Sequence, residues 1–250
     1  MDGINAKISV LLAVRNGEAF ISEALESVLA QTYENLELVV IVNCSSDRTL
    51  SIVNAFKNKD SRIKVLLSNI CQLNYNLNLG LMHATGEFIA RIDADDVCVP
   101  HRFERQLAKL QSYDIVGSNL RVVNDESTQL GTIKFPEHNG TIRSEIYCKS
   151  VIAHPSVIFR KNILLEAGGY QGGYYAQDYE LWLRLMRNKS LLFYNIQESL
   201  ILYRVHSSQS KGNPISYGHV AGYLFREALI SKSYKYFIGS IIYLIKFFLK

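Results

Sequence analysis

Asp93-Ala94-Asp95-Asp96 places three carboxylates within four positions. Bringing like charges together in a folded chain is unfavourable unless each is solvated or shares a counter-cation. A divalent ion supplies that cation. Mg²⁺ and Mn²⁺ take a few hard oxygen ligands and keep positions open for phosphate oxygens, so the segment suits a metal ion held against a diphosphate. A solvated acidic turn is the alternative that these four residues alone leave open.

The elements around the segment place it. Phe88 to Ile92 is a short apolar run that leads directly into Asp93, so the carboxylates are expected at a strand's C-terminal end, where open α/β sheets bind ligands. Upstream, apolar runs at Ile8–Val14, Leu38–Val42 and Ile63–Leu67 alternate with helical spacing over Glu18–Ala30, Leu50–Phe56 and Leu77–Ala84. Continuous apolar strands separated by helices predict a mostly parallel central sheet covered on both faces. Downstream, a helix from Pro100, a strand over Ile115–Val123, a polar hairpin or loop at 124–131 and a helix over Thr141–Lys149 are expected. They are followed by a strand at Val157–Phe159, a helix at Lys161–Ala167 closed by Gly168-Gly169, and a clearer helix at Asp178–Asn188. Asp178 stands where a helix-capping residue would.

With 250 residues, 48% of them hydrophobic, the chain can bury a substantial α/β core. A net charge of +4 without basic clustering before the C-terminus excludes a nucleic-acid footprint. Cys44, Cys71, Cys98 and Cys148 form no Cys-x-x-Cys pair, which argues against zinc and a disulfide framework and suits a reducing cytosol. The polar stretch Met1–Ala6 does not read as an export signal, and no segment has the roughly 20 uninterrupted apolar residues that span a bilayer.

Ile89-Ala90-Arg91-Ile92-Asp93-Ala94-Asp95-Asp96, with Pro100, Arg102 and Gln106 after it, resembles the signature of family 2 glycosyltransferases of the GT-A fold. The resemblance extends to Ser9–Gly17, Ala24–Tyr33, His154–Arg160, Gly168-Gly169-Tyr170, Gln177–Arg184 and Tyr203-Arg204-Val205-His206, in the family's order. It covers about residues 7 to 207. A GT-A domain over 1–207 and a C-terminal helical tail over 208–250 are expected.

By this resemblance Asp95 is a metal ligand, Asp93 meets the metal or the donor's ribose, Asp96 supports the turn, and His206 is a further metal or phosphate contact. Asp178 becomes the catalytic base as well as a possible cap. Ala13 and Arg15 at the opening turn, Asn43, Arg91 and Arg204 are the remaining donor-binding candidates; Arg91 could equally form a plain ion pair, and Trp182 and Tyr179 an acceptor wall or core. Where many members carry Asp-Asp after the second strand this chain has Val42-Asn43, which leaves the donor base open, and Asp47 can cap the next helix. The resemblance thus implies an inverting, metal-dependent enzyme of the hexosyltransferase type. It would move sugar from a nucleotide-diphosphate donor to a saccharide or lipid-linked hydroxyl during surface-polysaccharide synthesis, with Mn²⁺ or Mg²⁺ as cofactor. A non-catalytic nucleotide-sugar-binding protein of the same fold is the alternative.

On a helix, Gly239, Tyr243, Lys246 and Lys250 form one narrow stripe, while Ile238, Ile241, Ile242, Ile245, Phe248 and Leu249 cover the opposite face. Such a tail can lie in an anionic membrane interface, holding a cytoplasmic enzyme at the inner membrane, or dock on its own domain or a partner.

Overall fold

The computed structural model describes residues 6–206 and 213–249. The expected boundary at 207/208, the stripe residue Lys250 and residues 1–5 lie outside that range. In the N-terminal half β1 (Ile8–Val14), α1 (Ile21–Leu29), β2 (Leu36–Asn43), α2 (Thr49–Lys57), β3 (Ile63–Ser68), α3 (Leu73–His83) and β4 (Phe88–Arg91) alternate strand and helix. The four strands lie parallel in the order β3-β2-β1-β4. Successive side chains of a strand point to opposite faces. Val10, Leu12 and Val14 accordingly meet Ile21, Leu25 and Val28 of α1, whereas Leu11 joins Leu77 and Leu81 of α3. With both faces covered, β1 and β2 have no solvent side, which is why their sequences read as unbroken apolar runs.

Beyond β4 the elements are β5 (Val97–Cys98), α4 (Arg102–Lys109), β6 (Ile115–Val123), β7 (Gln129–Ile133), α5 (Asn139–Glu145) and a 3₁₀ turn (His154–Ser156). Next come β8 (Ile158–Arg160), α6 (Lys161–Glu166), α7 (Gln177–Leu185), β9 (Phe193–Arg204), α8 (Pro214–Ser231) and α9 (Tyr234–Phe248). The sheet continues β4-β8-β6-β9-β5, with β7 paired to β6. The expected mostly parallel sheet is therefore mixed: its first half is wholly parallel, and in its second half only β6 and β9 run parallel to each other. β8 runs antiparallel to β4 and β6, β5 antiparallel to β9, and β6–β7 closes as an antiparallel hairpin, whereas the long helical connection from β6 returns β9 beside it in parallel.

Arg102 and Gln106, fully buried on α4, tie the two halves together. Arg102 Nη2 donates to the carbonyl oxygens of Arg91 (2.8 Å) and Val157 (3.3 Å), and its Nε donates to Gln106 Oε1 (3.0 Å). Gln106 Nε2 donates in turn to Ser156 O (2.7 Å) and Val116 O (3.1 Å). These bonds satisfy carbonyls where the sheet changes direction, and a buried carbonyl left unpaired would be unfavourable.

One expectation is overturned. Cys44 and Cys71 form a disulfide with Cα atoms 5.9 Å apart, although 27 positions separate them. They follow the C-terminal ends of the parallel neighbours β2 and β3, whose last residues Asn43 and Ser68 are in register, so sheet pairing brings together what sequence spacing kept apart. Cys98 and Cys148 remain free thiols.

Candidate active site

Three loops leave the C-terminal ends of β1, β2 and β4 on one edge of the sheet. The first two are fastened to each other. Asn16 Oδ1 accepts from Ser46 N (2.9 Å), Gly17 N donates to Thr49 Oγ1 (2.8 Å), and Asp47 takes N–H bonds from both Glu18 and Thr49 (3.0 Å each). Arg48, and not Asp47, holds the N-cap position of α2; Asp47, one residue earlier, satisfies the N–H of the first helical residue and also binds the β1–α1 loop. Asn16 and Cys44 adopt left-handed backbone (φ 51° and 50°), an uncommon conformation for residues with a Cβ. Of the donor-binding candidates here, Ala13 is half-buried on β1, Arg15 is exposed just beyond it, and Asn43 is buried at the end of β2.

The third loop is the acidic turn, and its carboxylates have different surroundings. Asp96 is fully buried; its Oδ1 accepts from Arg204 N (3.0 Å), which ties the turn to β9, and its Oδ2 has no partner among the described residues. Burial, reinforced by the charges of Asp93 and Asp95, raises its pKa well above the ordinary aspartate range. Asp93 is half-buried and accepts a hydrogen bond from Arg91, whose guanidinium lies beneath the turn at 1% exposure. Burial raises the Asp93 pKa, Arg91 opposes the rise, and Asp95 adds to it. Of the two roles open to Arg91, the structure displays the ion pair; its Nε and Nη1 lack partners among the described residues.

Asp95 retains a quarter of its surface, and its Oδ2 lies 3.0 Å from His206 Nε2, while the His206 ring packs 5.2 Å from Phe20. Among the described residues no three His, Cys, Asp or Glu side chains gather into a self-sufficient metal cage. A cation shared with a diphosphate needs fewer protein ligands than that. A carboxylate oxygen and an imidazole nitrogen 3.0 Å apart can be neighbouring ligands of one such ion, so this donor set fits the expected metal.

Arg204 is held within the protein. It is fully buried, with Nε bonded to Asp95 O (3.1 Å), Nη1 to Asp125 O (2.7 Å) and Nη2 to Glu23 Oε2 (2.6 Å). Its guanidinium braces the acidic turn against α1 and the β6–β7 hairpin. Trp182 and Tyr179 are likewise core residues, at 0% and 5% exposure, and build no acceptor wall.

Asp178 comes from the other half of the chain. It is the second residue of α7; Ala176, in left-handed conformation (φ 56°), holds the N-cap position that Asp178 was expected to fill. Burial raises the Asp178 pKa, N–H groups of its own helix start at Tyr179 and Asp178 lower it, Asp93 raises it and Arg91 lowers it. Asp178 therefore shares an electrostatic neighbourhood with the acidic turn. Tyr203, which sequence reasoning did not single out as a site residue, feels the charges of the same carboxylates. Its hydroxyl pKa is raised first by burial and then by Asp93, Asp96, Asp95 and Asp178. The Tyr203-Arg204-Val205-His206 motif was the available signal. Buried His154, 3.5 Å from Tyr170 Oη, is held neutral by burial and by Arg91.

Residues 9–166 match the model of glycosyl transferase family 2. The chain belongs to that family. Similar proteins include the O-antigen biosynthesis glycosyltransferase WbnJ of Escherichia coli, 30% identical over 247 residues and 97% of each chain. The amylovoran biosynthesis glycosyltransferase AmsE of Erwinia amylovora is 33% identical over 183 residues, 71% of this chain and 69% of that one. Solved structures share the fold. S. aureus TarS 1-349 in complex with UDP-GlcNAc has a TM-score of 0.72 at 22% identity, over 89% of this chain and 66% of that one. The mannosyltransferase PcManGT of Pyrobaculum calidifontis, in complex with GDP-Man and Mn²⁺, has a TM-score of 0.67 at 17% identity, over 96% and 70%. The glycosyltransferase domain of this chain thus has the GT-A-like architecture, with two further helices at its C-terminal end.

Proposed function

We propose that the chain is an inverting glycosyltransferase using a nucleotide-diphosphate sugar and a saccharide or lipid-linked hydroxyl acceptor, in surface-polysaccharide synthesis at the cytoplasmic face of a membrane. The observation that supports this reading is the electrostatic coupling of distant parts of the chain: Asp93 raises the pKa of Asp178, and Asp93, Asp96, Asp95 and Asp178 together raise that of Tyr203. The acidic turn after β4 and the single carboxylate on α7 allow one to hold a charged leaving group while the other accepts a proton. WbnJ and AmsE, named for O-antigen and amylovoran biosynthesis, support the product class, and the complexes of TarS and PcManGT support the donor class.

The base of the donor would lie against Asn43, with Ala13 and Arg15 beside it and Asp93 towards the ribose. Asp95 and His206, with Asp93, would hold Mg²⁺ or Mn²⁺. When bound, that ion would set positive charge against the departing diphosphate. Arg204 and Asp96 keep the turn in place by joining it to β9 and α1. Asp178 accepts the proton of the acceptor hydroxyl as the oxygen bonds the anomeric carbon, and the bond from that carbon to the diphosphate breaks with its electron pair on the nucleotide. One displacement inverts the anomeric centre. A base whose pKa is raised towards neutrality is suited to this step.

The product's anomeric configuration, read by NMR, tests the reading. Inversion relative to the donor is expected; retention would overturn the single displacement. Turnover should fall with acidification at a pH above the ordinary aspartate range, since protonated Asp178 cannot accept the proton.

A further inference from the structure

The α8–α9 hairpin is turned with its polar groups inward. On α9 Gly239 packs so closely on Tyr147 that a Cβ there would lie 2.2 Å from its carbonyl oxygen, Ser240 Oγ donates to Ala221 O (2.9 Å), and Lys246 Nζ donates to Cys148 O (3.3 Å). The narrow stripe of the sequence thus meets the protein. The wide apolar face points away from it: Ile238, Ile241, Leu244 and Ile245 are 42–52% exposed, and Phe248 and Leu249 80%. Phe225, Leu229 and Ile230 on α8 extend the same exposed apolar character. Single exposed apolar residues are ordinary on a surface, whereas a continuous face of this kind marks an interaction site.

Charge selects the occupant. Glu227 is the one acidic residue among the described residues of the hairpin, and it is 2% exposed and paired with Arg187 and Arg226. Lys232 and Lys235 at the hairpin turn are exposed. A second copy of the chain would bring lysines against lysines; an anionic bilayer offers both an apolar phase and opposite charge. α9 has 15 residues, about 22 Å at the helical rise, against a hydrocarbon core of about 30 Å. Among the described residues no helix is long and apolar enough to cross a membrane.

We propose that the outer face of the α8–α9 hairpin lies flat in the interface of an anionic lipid bilayer. The hairpin is joined to the element that carries Asp178. Arg226 Nη2 donates to Glu180 Oε1 of α7 (2.9 Å), and Gly173 N, in the loop before α7, donates to Tyr223 Oη of α8 (2.8 Å). Docking there fixes the Asp178 side of the site relative to the bilayer, which suits an acceptor on a lipid carrier; this consequence rests on the glycosyltransferase reading, whereas the docking does not.

The test is co-sedimentation of the full chain with vesicles of phosphatidylglycerol and phosphatidylcholine, or of phosphatidylcholine alone, without donor or acceptor. The chain should bind the anionic vesicles preferentially, and added salt should weaken the binding. Ile241→Glu/Ile245→Glu should reduce it at least about tenfold, because charge enters the buried face. Lys232→Glu/Lys235→Glu should abolish the preference for phosphatidylglycerol. All four positions are exposed, so both variants should keep the parental melting temperature and nucleotide affinity. Failure of the parent to bind, or equal binding by parent and Ile241→Glu/Ile245→Glu, would overturn the proposal. So would a lipid-free dimer in sedimentation velocity that the isoleucine variant dissociates while the parent ignores vesicles. Nucleotide binding with no vesicle binding would sink the docking alone, and the reverse would sink the transferase reading alone.

Discussion

Glu37, near the N-terminal end of β2, and the acidic turn at the C-terminal end of β4 both place carboxylates in sheltered positions, and the two ends of the sheet treat them oppositely. Burial would raise the pKa of Glu37, but bonds from Ser9 Oγ (2.5 Å), Thr85 N (2.5 Å) and Lys7 Nζ (3.2 Å) outweigh it and bring the value down to about 2. At the other end one Asp96 oxygen has no partner among the described residues, and Asp93, Asp96 and Asp178 are all pushed up. A satisfied carboxylate contributes stability. Carboxylates left short of partners store an electrostatic demand that a cation or a transferred proton can meet, which is how functional sites differ from structural ones.

The largest effect that could break this contrast is catalytic. Asp178→Asn should lower turnover by about 10² to 10⁴-fold, the range for a general base, with little change in nucleotide affinity. Near-normal turnover would remove Asp178 from its role. The structural end should respond in stability alone. Glu37→Gln should destabilise the chain at neutral pH by up to about 3 kcal/mol, given the depression from 4.5 to about 2. The sign is fixed by the lowered folded-state value: the contribution is full above the unfolded pKa and lost as pH falls through the folded one. The gap between parent and variant in urea melts should therefore close between about pH 4.5 and pH 2, with transfer unaffected. Opening the Cys44–Cys71 bridge should act on the site end. Cys44→Ser, or a thiol reductant, should lower stability by about 3 to 4 kcal/mol, as expected for closing a loop of this size. Because Cys44 follows Asn43, nucleotide affinity should fall as well; loss of stability with unchanged affinity would place the bridge outside donor binding.

Much of the N-terminal half was legible because burial on both faces leaves a strong signature. Ile8–Val14 ends where its apolar run ends, and beyond that half the strand expected at Ile115–Val123 has those bounds. β9 was not assigned as a strand: Gln197-Glu198-Ser199 interrupts its apolar pattern, and its pairing with β6 shifts register at Asn119. The acidic turn and Asp178 could be singled out because their residue types and family motifs are local. Their partners could not. Arg204 has the composition of a phosphate ligand, and only the tertiary fold reveals that backbone carbonyls and Glu23 surround it. The disulfide joins positions that are neighbours only through the β2–β3 register. The tail pattern was visible as an amphipathic helix, but which face met the protein depended on Tyr147, Cys148 and Ala221, far from it in sequence.

Calorimetric titration of uridine, thymidine and guanosine diphosphates with and without Mn²⁺, on the parent, Asp95→Ala and Asp178→Asn chains, tests the division of labour at the acidic edge most directly. The account predicts that one nucleotide binds the parent and Asp178→Asn chains more tightly with Mn²⁺, and that Asp95→Ala abolishes this gain. Folded parent that binds no nucleotide with either Mn²⁺ or Mg²⁺, or a Mn²⁺ gain that survives Asp95→Ala, would contradict it.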